Sequence, residues 1–510
     1  MSLAVVHTRA QLGLDAPRVQ VEVLTAGGLP AFQIVGLPEA AVRESRDRVR
    51  GALQRCGFQM PDGRITVNLA PADLPKVGAR FDLPIALGVL AASGQIPVES
   101  LHGYCFAGEL ALSGALRPIQ GALSLVQHAH AAGEKVLLPA ANAEEAGLFA
   151  DAEVYAADHL LSVTAHLRGQ ALLARVPPVS LSHAVAASTT DLRQVRGQAH
   201  ARRALEIAAA GGHNLLMLGP PGTGKTLLAS CLPGILPPLS ADEAMEVAAI
   251  QSISDEGVDF SHWGQRPYRA PHHTASSIAL IGGGAQPRPG EISLAHRGVL
   301  FLDELPEFPR HTLEVLREPL ESERAVIARA KQRATYPAAF QLVAAMNPCP
   351  CGYLGDPSGK CHCTPEAIAR YRGRISGPLL DRMDLHIEVP RVPHAELLKA
   401  NSTSEDSASV RARVIAARDL QLTRSGVANA RLNPEQLEAV AQLDGEGRAL
   451  VQRAMERFHL SARAYHRILR VARSIADLAA LQKEEQPPLV LPIAALHEAL
   501  GFRALDRGSA

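Results

Sequence analysis

Apolar and polar positions follow two rhythms along this chain, and the rhythm changes twice. Over roughly the first 170 residues, period-two runs predict strands, as in Val19-Gln-Val-Glu-Val23 and Ile65-Thr-Val-Asn-Leu69. Val136–Leu138 adds a short apolar strand, and Glu39–Cys56 and Leu83–Ala92 carry helical spacing. From about 190 to 395, short apolar runs alternate with helical stretches, the pattern of a parallel α/β sheet. From about 410 to 505 only helical spacing remains, most clearly at Leu437–Leu443 and Tyr465–Leu481. Two segments with few apolar anchors separate the blocks: Val176–Thr190, rich in Pro, Ser and Ala, and the polar run Asn401–Ser409. The expected organisation is a domain over 1–172, a linker over 173–190, an α/β core over 191–397, a linker over 398–409 and a helical domain over 410–510. No internal repeat is visible.

Composition narrows the class. At 510 residues the chain exceeds one ordinary core, and 47% apolar with 20% charged residues is a globular balance. Basic and acidic residues number 51 each, so no global positive charge points to nucleic acid. Any DNA contact must come from a local patch or from an assembled ring. Seven cysteines in this length do not form a disulfide scaffold. Met1-Ser-Leu-Ala-Val5 is no signal peptide, and no apolar run is long enough to span a bilayer, so a cytoplasmic protein without a membrane partner is expected.

The most informative segment is Gly219-Pro220-Pro221-Gly222-Thr223-Gly224-Lys225-Thr226. It fits G-x-x-x-x-G-K-[ST] without mismatch, between the apolar run Asn214–Leu218 and the helical run Leu227–Cys231. Its glycines let backbone N–H groups converge on a phosphate chain. Lys225 can reach the β/γ-phosphates, and the Thr226 hydroxyl can sit on Mg²⁺. About 75 residues on, Val299-Leu-Phe-Leu302 ends in Asp303-Glu304. The first carboxylate suits Mg²⁺ and the second suits the attacking water. A third apolar run, Gln341–Met346, ends in Asn347, either a water-orienting tip beside the γ-phosphate or a turn before Pro348. Arg382 precedes the strand-like run Leu385–Val389, and Arg463 lies at a helix start in the last block. An arginine supplied in trans to a γ-phosphate is worth roughly 10³–10⁵ in turnover. A solvated helix face is the alternative reading of both.

Cys349, Cys351, Cys361 and Cys363 fall within fifteen residues, just after Asn347. Four clustered thiols in a reducing compartment favour tetrahedral Zn²⁺ over disulfides; a metal-free loop and a redox switch stay open. Glu321–Arg333 reads as a hairpin with Arg329, Lys331 and Arg333 at its exit, able to neutralise phosphates without reading bases, or else a charged surface hairpin. His272 and His273 sit in a second, Gly-rich stretch from Tyr268 to Gly284, where a structural role and DNA contact are equally open.

The order GPPGTGKT, VLFLDE, AAMNPCPCG, ISGPLLDRMDLHIEVP and LSARAYHRILRVARSIADL resembles the ComM/YifB family of magnesium-chelatase-like AAA+ ATPases over essentially the whole chain. The resemblance implies a multi-domain α/β protein: a Lon-protease-like (ribosomal protein S5-like) N-terminal domain, an AAA+ phosphate-loop core and a C-terminal all-helical lid. It implies a homohexameric ring with ATP and Mg²⁺ between subunits. Arg382 then matches a finger acting in trans and Arg463 the lid's sensor arginine, with Arg467 the second candidate. The implied activity is an ATP-driven DNA helicase promoting branch migration of transforming single-stranded DNA, acting on single-stranded and branched DNA beside recombination proteins. Related helicases place a mobile hairpin near the His272–His273 stretch. The motor subunit of a metal chelatase uses the same core and is the alternative, although such subunits generally lack a Lon-like block. Pro75–Phe81 and Phe106–Gly121 resemble the nucleophile and lysine segments of Lon proteases. Their serine and lysine positions hold Arg80 and Leu123, so no Ser–Lys dyad is expected, and the block suits assembly or DNA contact.

Overall fold

The computed structural model describes residues 1–37, 39–179, 190–284, 287–328, 333–356, 359–393 and 405–503. Arg329 and Lys331 of the expected basic hairpin lie outside the described residues, as do 180–189 and 398–404 of the expected linkers. The chain divides into two compact units, Met1–Ala184 with Met245–Trp263, and Val185–Ala244 with Gly264–Ala510. No described helix is long and apolar enough to cross a membrane.

The first unit is built from β1 (Ser2–Arg9), β2 (Arg18–Ala26), β3 (Ala31–Val35), α1 (Ala40–Arg55), β4 (Arg64–Ala70), α2 (Asp82–Ala92), β5 (Tyr104–Phe106), α3 (Ala122–Ala131), β6 (Lys135–Pro139) and β7 (Val154–Ala157). Among the described residues its main sheet has the order β3-β4-β2-β1-β5-β6-β7. β2 runs antiparallel to β1 and β4, and the other neighbours are parallel. The period-two pattern does what it predicted: Val19, Val21 and Val23 are buried while Arg18 and Gln20 face out. Every residue of α2 is buried, so this helix is a core element rather than an amphipathic cover. Its N-terminal Asp82 would be a costly buried charge, but Arg48 Nε donates to it at 2.7 Å and the Leu110 N–H at 3.2 Å. Arg80 is buried, with its guanidinium donating to Gln11 Oε1 and the Gln120 carbonyl, and Leu123 is buried in α3.

The second unit carries α4 (Ala199–Gly211), β8 (Leu215–Leu218), α5 (Lys225–Ile235), β9 (Tyr268–Arg269), β10 (Val299–Leu302), β11 (Arg324–Ala328), β12 (Arg333–Pro337), β13 (Gln341–Met346) and β14 (Leu385–Glu388). Five described strands form a sheet in the order β9-β10-β13-β8-β14, parallel at every step. β8, β10 and β13 are buried throughout, which explains their continuous apolar runs. β11 and β12 pair antiparallel, so the expected hairpin is present, with its turn outside the described residues.

The helical region follows as α6 (Ser407–Ser425), α7 (Pro434–Val440), α8 (Gly445–Phe458), α9 (Ala462–Gln482) and α10 (Ile493–Gly501). It shares one apolar core with the sheet, with Val410, Val414, Ile468 and Leu496 joining Leu215, Phe301 and Val343. The polar run expected to end at Ser409 ends earlier. Asp406 caps α6, accepting from Ser409 N–H, and Ser407 Oγ accepts from Leu192 N–H. The helix expected over Leu437–Leu443 stops at Val440 because Gln442 exchanges backbone bonds with Leu489 and Leu491 instead.

Inside this region Asp477 is fully buried and accepts from Arg473 Nε at 3.0 Å, from Arg424 at 2.7 and 2.9 Å, and from Asn429 Nδ2 at 2.9 Å. Two guanidiniums depend on one carboxylate. Asp477→Ala therefore leaves the buried Arg473 and the partly buried Arg424 without their carboxylate and is expected to cost about 3–5 kcal/mol, read as a large fall in the thermal midpoint. Asp47→Ala, which breaks the exposed Arg46–Asp47 pair, is expected to leave that midpoint unchanged.

Candidate nucleotide site and cysteine cluster

The parallel strands bring the nucleotide motifs to one edge. β8 runs into Gly219, β10 into Asp303 and β13 into Asn347, all at strand C-termini. Gly222 (φ +76°) and Gly224 (φ +84°) occupy the left-handed region that opens a cradle before α5. A Cβ on Gly219 would lie 2.3 Å from the Val389 carbonyl oxygen, so only glycine fits beside the end of β14. Lys225 is buried and donates to the Gly219 carbonyl at 2.7 Å, the Pro220 carbonyl at 2.9 Å and Asn347 Oδ1 at 3.3 Å. Burial pushes its pKa below the usual lysine value, against the opposing pull of Asp303 and Glu304. An incoming polyphosphate would supply the counter-charge that this ammonium lacks.

The Thr226 hydroxyl donates to Asp303 Oδ2 at 2.8 Å. These are the two oxygen ligands the motif assigns to Mg²⁺, already side by side, so the residues fit the cation. Asp303 Oδ1 accepts the Glu304 N–H at 2.9 Å. Glu304 itself is exposed and takes left-handed backbone angles (φ 51°, ψ 45°), a strained conformation for a non-glycine. Its carboxylate lies 3.2 Å from His273 Nδ1. The ring of His273 packs 4.0 Å from that of His272, whose Nδ1 meets Thr274 Oγ1 at 2.8 Å. The two histidines read as candidate DNA contacts thus stand beside the candidate catalytic carboxylate.

The arginines lie elsewhere. Asp384 immediately precedes β14 and Asn214 immediately precedes β8, so both mark the N-terminal edge of the sheet. Four strand residues separate that edge from the phosphate loop, about 13 Å of rise. A cavity of about 510 Å³ opens there, lined by Asn214, Gln341 and Asp384 together with Arg266, Arg297, Arg418, Arg431, Arg463, Arg467 and Arg470. Arg467 donates to Asp384 Oδ1 at 2.5 Å and to the Arg382 carbonyl at 3.2 Å. Burial works against the Asp384 carboxylate, but Arg467, His213 and the Asn214 N–H hold it well below the usual carboxylate range. Arg382 is nearly buried, donating to the Arg317 and Pro378 carbonyls and pairing with Glu321. Arg463 is exposed in the first turn of α9, two residues after the N-cap Ser461, whose hydroxyl accepts from Ala464 N–H. Neither Arg382 nor Arg463 is brought to the phosphate loop of its own chain.

The four cysteines do come together. Their Sγ atoms all lie within 4.8 Å of one another. Cys349 Sγ is 3.3 Å from Cys351 Sγ, and Cys361 Sγ is 3.7 Å from both. A tetrahedral metal with bonds of about 2.3 Å needs sulfur–sulfur edges of about 3.8 Å, whereas a disulfide needs about 2.05 Å. The cluster therefore fits a four-thiolate metal site. The Tyr353 backbone N–H draws the Cys351 thiol down to about 6, so one thiolate is available at neutral pH.

The family profile described as "Magnesium chelatase, subunit ChlI" matches residues 191–397. Profiles described as "Subunit ChlI of Mg-chelatase" and "Magnesium chelatase, subunit ChlI C-terminal" match 21–142 and 404–503. The chain is 49% identical over 510 residues to the protein named Competence protein ComM from Haemophilus influenzae, covering 99% of this chain and 98% of the relative. It is 49% identical over 508 residues to YifB of Salmonella typhimurium, with the same coverage. An uncharacterized protein of Mycobacterium tuberculosis is 42% identical over 486 residues, 94% of this chain and 95% of that protein. The chain belongs to the magnesium-chelatase-like ComM/YifB family. Its members are AAA+ ATPase-like.

Sequence reading missed one residue beside the candidate site and one contact within it. Gln198 Nε2 donates to the Thr223 carbonyl at 2.7 Å and the Pro390 carbonyl at 3.3 Å, tying the phosphate loop to the chain after β14. Its signal was faint: a glutamine in left-handed conformation heading α4, where a capping Ser, Thr, Asp or Asn is usual. His273 was noticed, but its contact with Glu304 joins residues far apart in sequence. Glu304→Gln removes the candidate base while keeping the shape of the site. It is expected to leave fluorescent-ATP affinity unchanged and to lower turnover about 10²–10⁴-fold, measured by phosphate release.

Proposed function

We propose that this protein is a ring-forming, ATP-hydrolysing DNA motor, a hexameric helicase that drives branch migration while incoming single-stranded DNA is integrated. The observation that carries the ring is the split of the site across one sheet. Lys225, Thr226, Asp303, Glu304 and Asn347 stand at the C-terminal edge, whereas Arg382 and Arg463 stand at the N-terminal edge. One chain cannot close this site on itself, but a head-to-tail neighbour can present its N-terminal edge to the loop of the next. In this reading Lys225 and the loop N–H groups hold the β/γ-phosphates, Asn347 and Glu304 orient and deprotonate the attacking water, and Arg382 and Arg463 of the neighbour steady charge on the transferring phosphoryl group. Mg²⁺, when held at Thr226 and Asp303, neutralises phosphate charge. Arg467, already committed to Asp384, serves as a structural tie, leaving Arg463 as the sensor.

DNA as the load is supported by full-length similarity to a protein named for competence, and by Arg333, exposed at the exit of the β11–β12 hairpin. Arg329 and Lys331 extend the same patch in sequence. The first 172 residues, with Arg80 and Leu123 unable to act as nucleophile and base, serve assembly or DNA contact on a Lon-like frame rather than proteolysis. Residues 191–397 form the motor and 410–510 the lid, and the ring works in the cytoplasm beside recombination proteins. The cysteine cluster holds structural Zn²⁺. The competing reading, a metal-chelatase motor subunit, is favoured by the family descriptions and predicts a porphyrin-handling partner with no response to DNA.

Single-stranded DNA is expected to raise ATP turnover, and the protein should displace a strand from a branched substrate. Turnover indifferent to DNA, with no displacement, defeats the motor reading. Lys225→Ala and Arg382→Ala should each be inactive alone, the second losing about 10³–10⁵ in turnover. Mixed in equal amounts they should regain activity, because roughly a quarter of random interfaces then pair an intact loop with an intact finger. A mixture as inactive as its parts would mean that the arginine does not act in trans.

A further inference from the structure

The cysteine cluster touches the nucleotide site at three points. Asn347, whose Oδ1 accepts from Lys225, lies two residues before Cys349. Gly352 N–H donates to the Cys349 carbonyl at 2.9 Å, and Gly352 sits at φ +83° against the phosphate loop. A Cβ there would fall 2.8 Å from Pro221 Cδ and 3.7 Å from Asn347 Cγ. The far side of the knuckle is tied as well. Asp356 meets Arg391 Nε at 3.0 Å, and the Arg391 guanidinium lies 5.5 Å from the Tyr353 ring centre. Arg391 follows directly on the Val389–Pro390 segment that abuts Gly219 and accepts from Gln198. The knuckle therefore contacts the residue at the tip of β13, the tip of the phosphate loop and the exit of β14.

Among the described residues the knuckle has little apolar packing of its own. Of the four cysteines Cys349 is buried, Cys361 and Cys363 are half-buried, and Cys351 is exposed. The segment between the two pairs contributes Tyr353 and Leu354 as half-buried apolar residues and is otherwise small or polar. A loop of this kind loses its ordering energy when the ions that cross-link it leave.

We propose that the four-cysteine knuckle is a metal-dependent brace of the nucleotide site, fixing Asn347 and Pro221 in their working positions through Gly352. The inference rests on metal occupancy of the cluster and on the ATP site, and on nothing about DNA. Metal loss slackens the Asn347–Lys225 contact and the loop tip while leaving the buried strands β8, β10 and β13 folded. Asn347 and Pro221 are the readers of metal occupancy, and Gly352 is the positioning residue that transmits it.

The test uses the full chain without DNA and three readings: zinc per chain by mass spectrometry, fluorescent-ATP affinity and basal ATP turnover. Far-UV circular dichroism melting controls for folding. Wild type is expected to carry one zinc per chain. Cys361→Ser with Cys363→Ser is expected to lose it and to lose about tenfold or more in turnover, with a cooperative melt retained. Gly352→Ala is expected to keep the zinc and still lose turnover or ATP affinity, since its methyl group displaces Pro221. A metal-free wild type overturns the zinc reading and the brace together. Metal loss with unchanged affinity and turnover overturns the brace alone. If the double cysteine variant fails to fold, Gly352→Ala decides, and normal ATP affinity and turnover with zinc bound overturns the brace. ATP binding is read directly, so a wild type without measurable hydrolysis still tests the proposal.

Discussion

Strand direction is the constraint on which the candidate site depends. In a parallel sheet every strand ends at the same edge, so the residues after β8, β10 and β13 converge however far apart they lie in the chain. The phosphate loop, the Asp303–Glu304 pair and Asn347 need no further device to meet. The same constraint sends whatever precedes β14 to the opposite edge. Arg382 and Asp384 are therefore excluded from their own chain's loop by topology, not by a local conformation that could relax.

That opposite edge is electrostatically expensive and is stabilised one contact at a time. Asp384 is buried among His213, the Asn214 N–H and Arg467, and it stays ionised because these three outweigh desolvation. Arg418 is half-buried. Desolvation draws it down to about 10, and it donates to the Ala209 and Ala210 carbonyls at the C-terminal end of α4, where a cation meets the negative end of the helix. The cavity is thus a set of arginines held in place by backbone carbonyls and a few carboxylates. Its opening toward solvent includes Arg463, which the carboxylates leave uncommitted.

How much of this could be read from sequence follows from range. The phosphate loop was legible because its eight residues are contiguous and each has a stated job. The buried strands were legible because continuous apolar runs have one economical placement. The cysteine cluster was legible as a group, since its members fall close together, but its seat against Pro221 was not: only the bare Cα of Gly352 records it. His273 beside Glu304 joins the segments that follow β9 and β10, a contact that periodicity does not encode. The end of α7 at Val440 was missed for the same reason, because Gln442 is claimed by Leu489 and Leu491, a pairing invisible to local propensity.

The two arginines of α9 show how a buried carboxylate can separate residues that spacing leaves equivalent. Arg463 and Arg467 sit four apart on α9 and therefore on one helix face, so sequence alone offers either as the sensor. Asp384 breaks the tie. It takes Arg467 in a short, nearly dry contact and leaves Arg463 exposed in the first turn. Moving Arg467 toward a phosphate would strand a buried charge, whereas Arg463 gives up only water. Of the two, Arg463 is the one that can move without leaving a buried carboxylate unpaired.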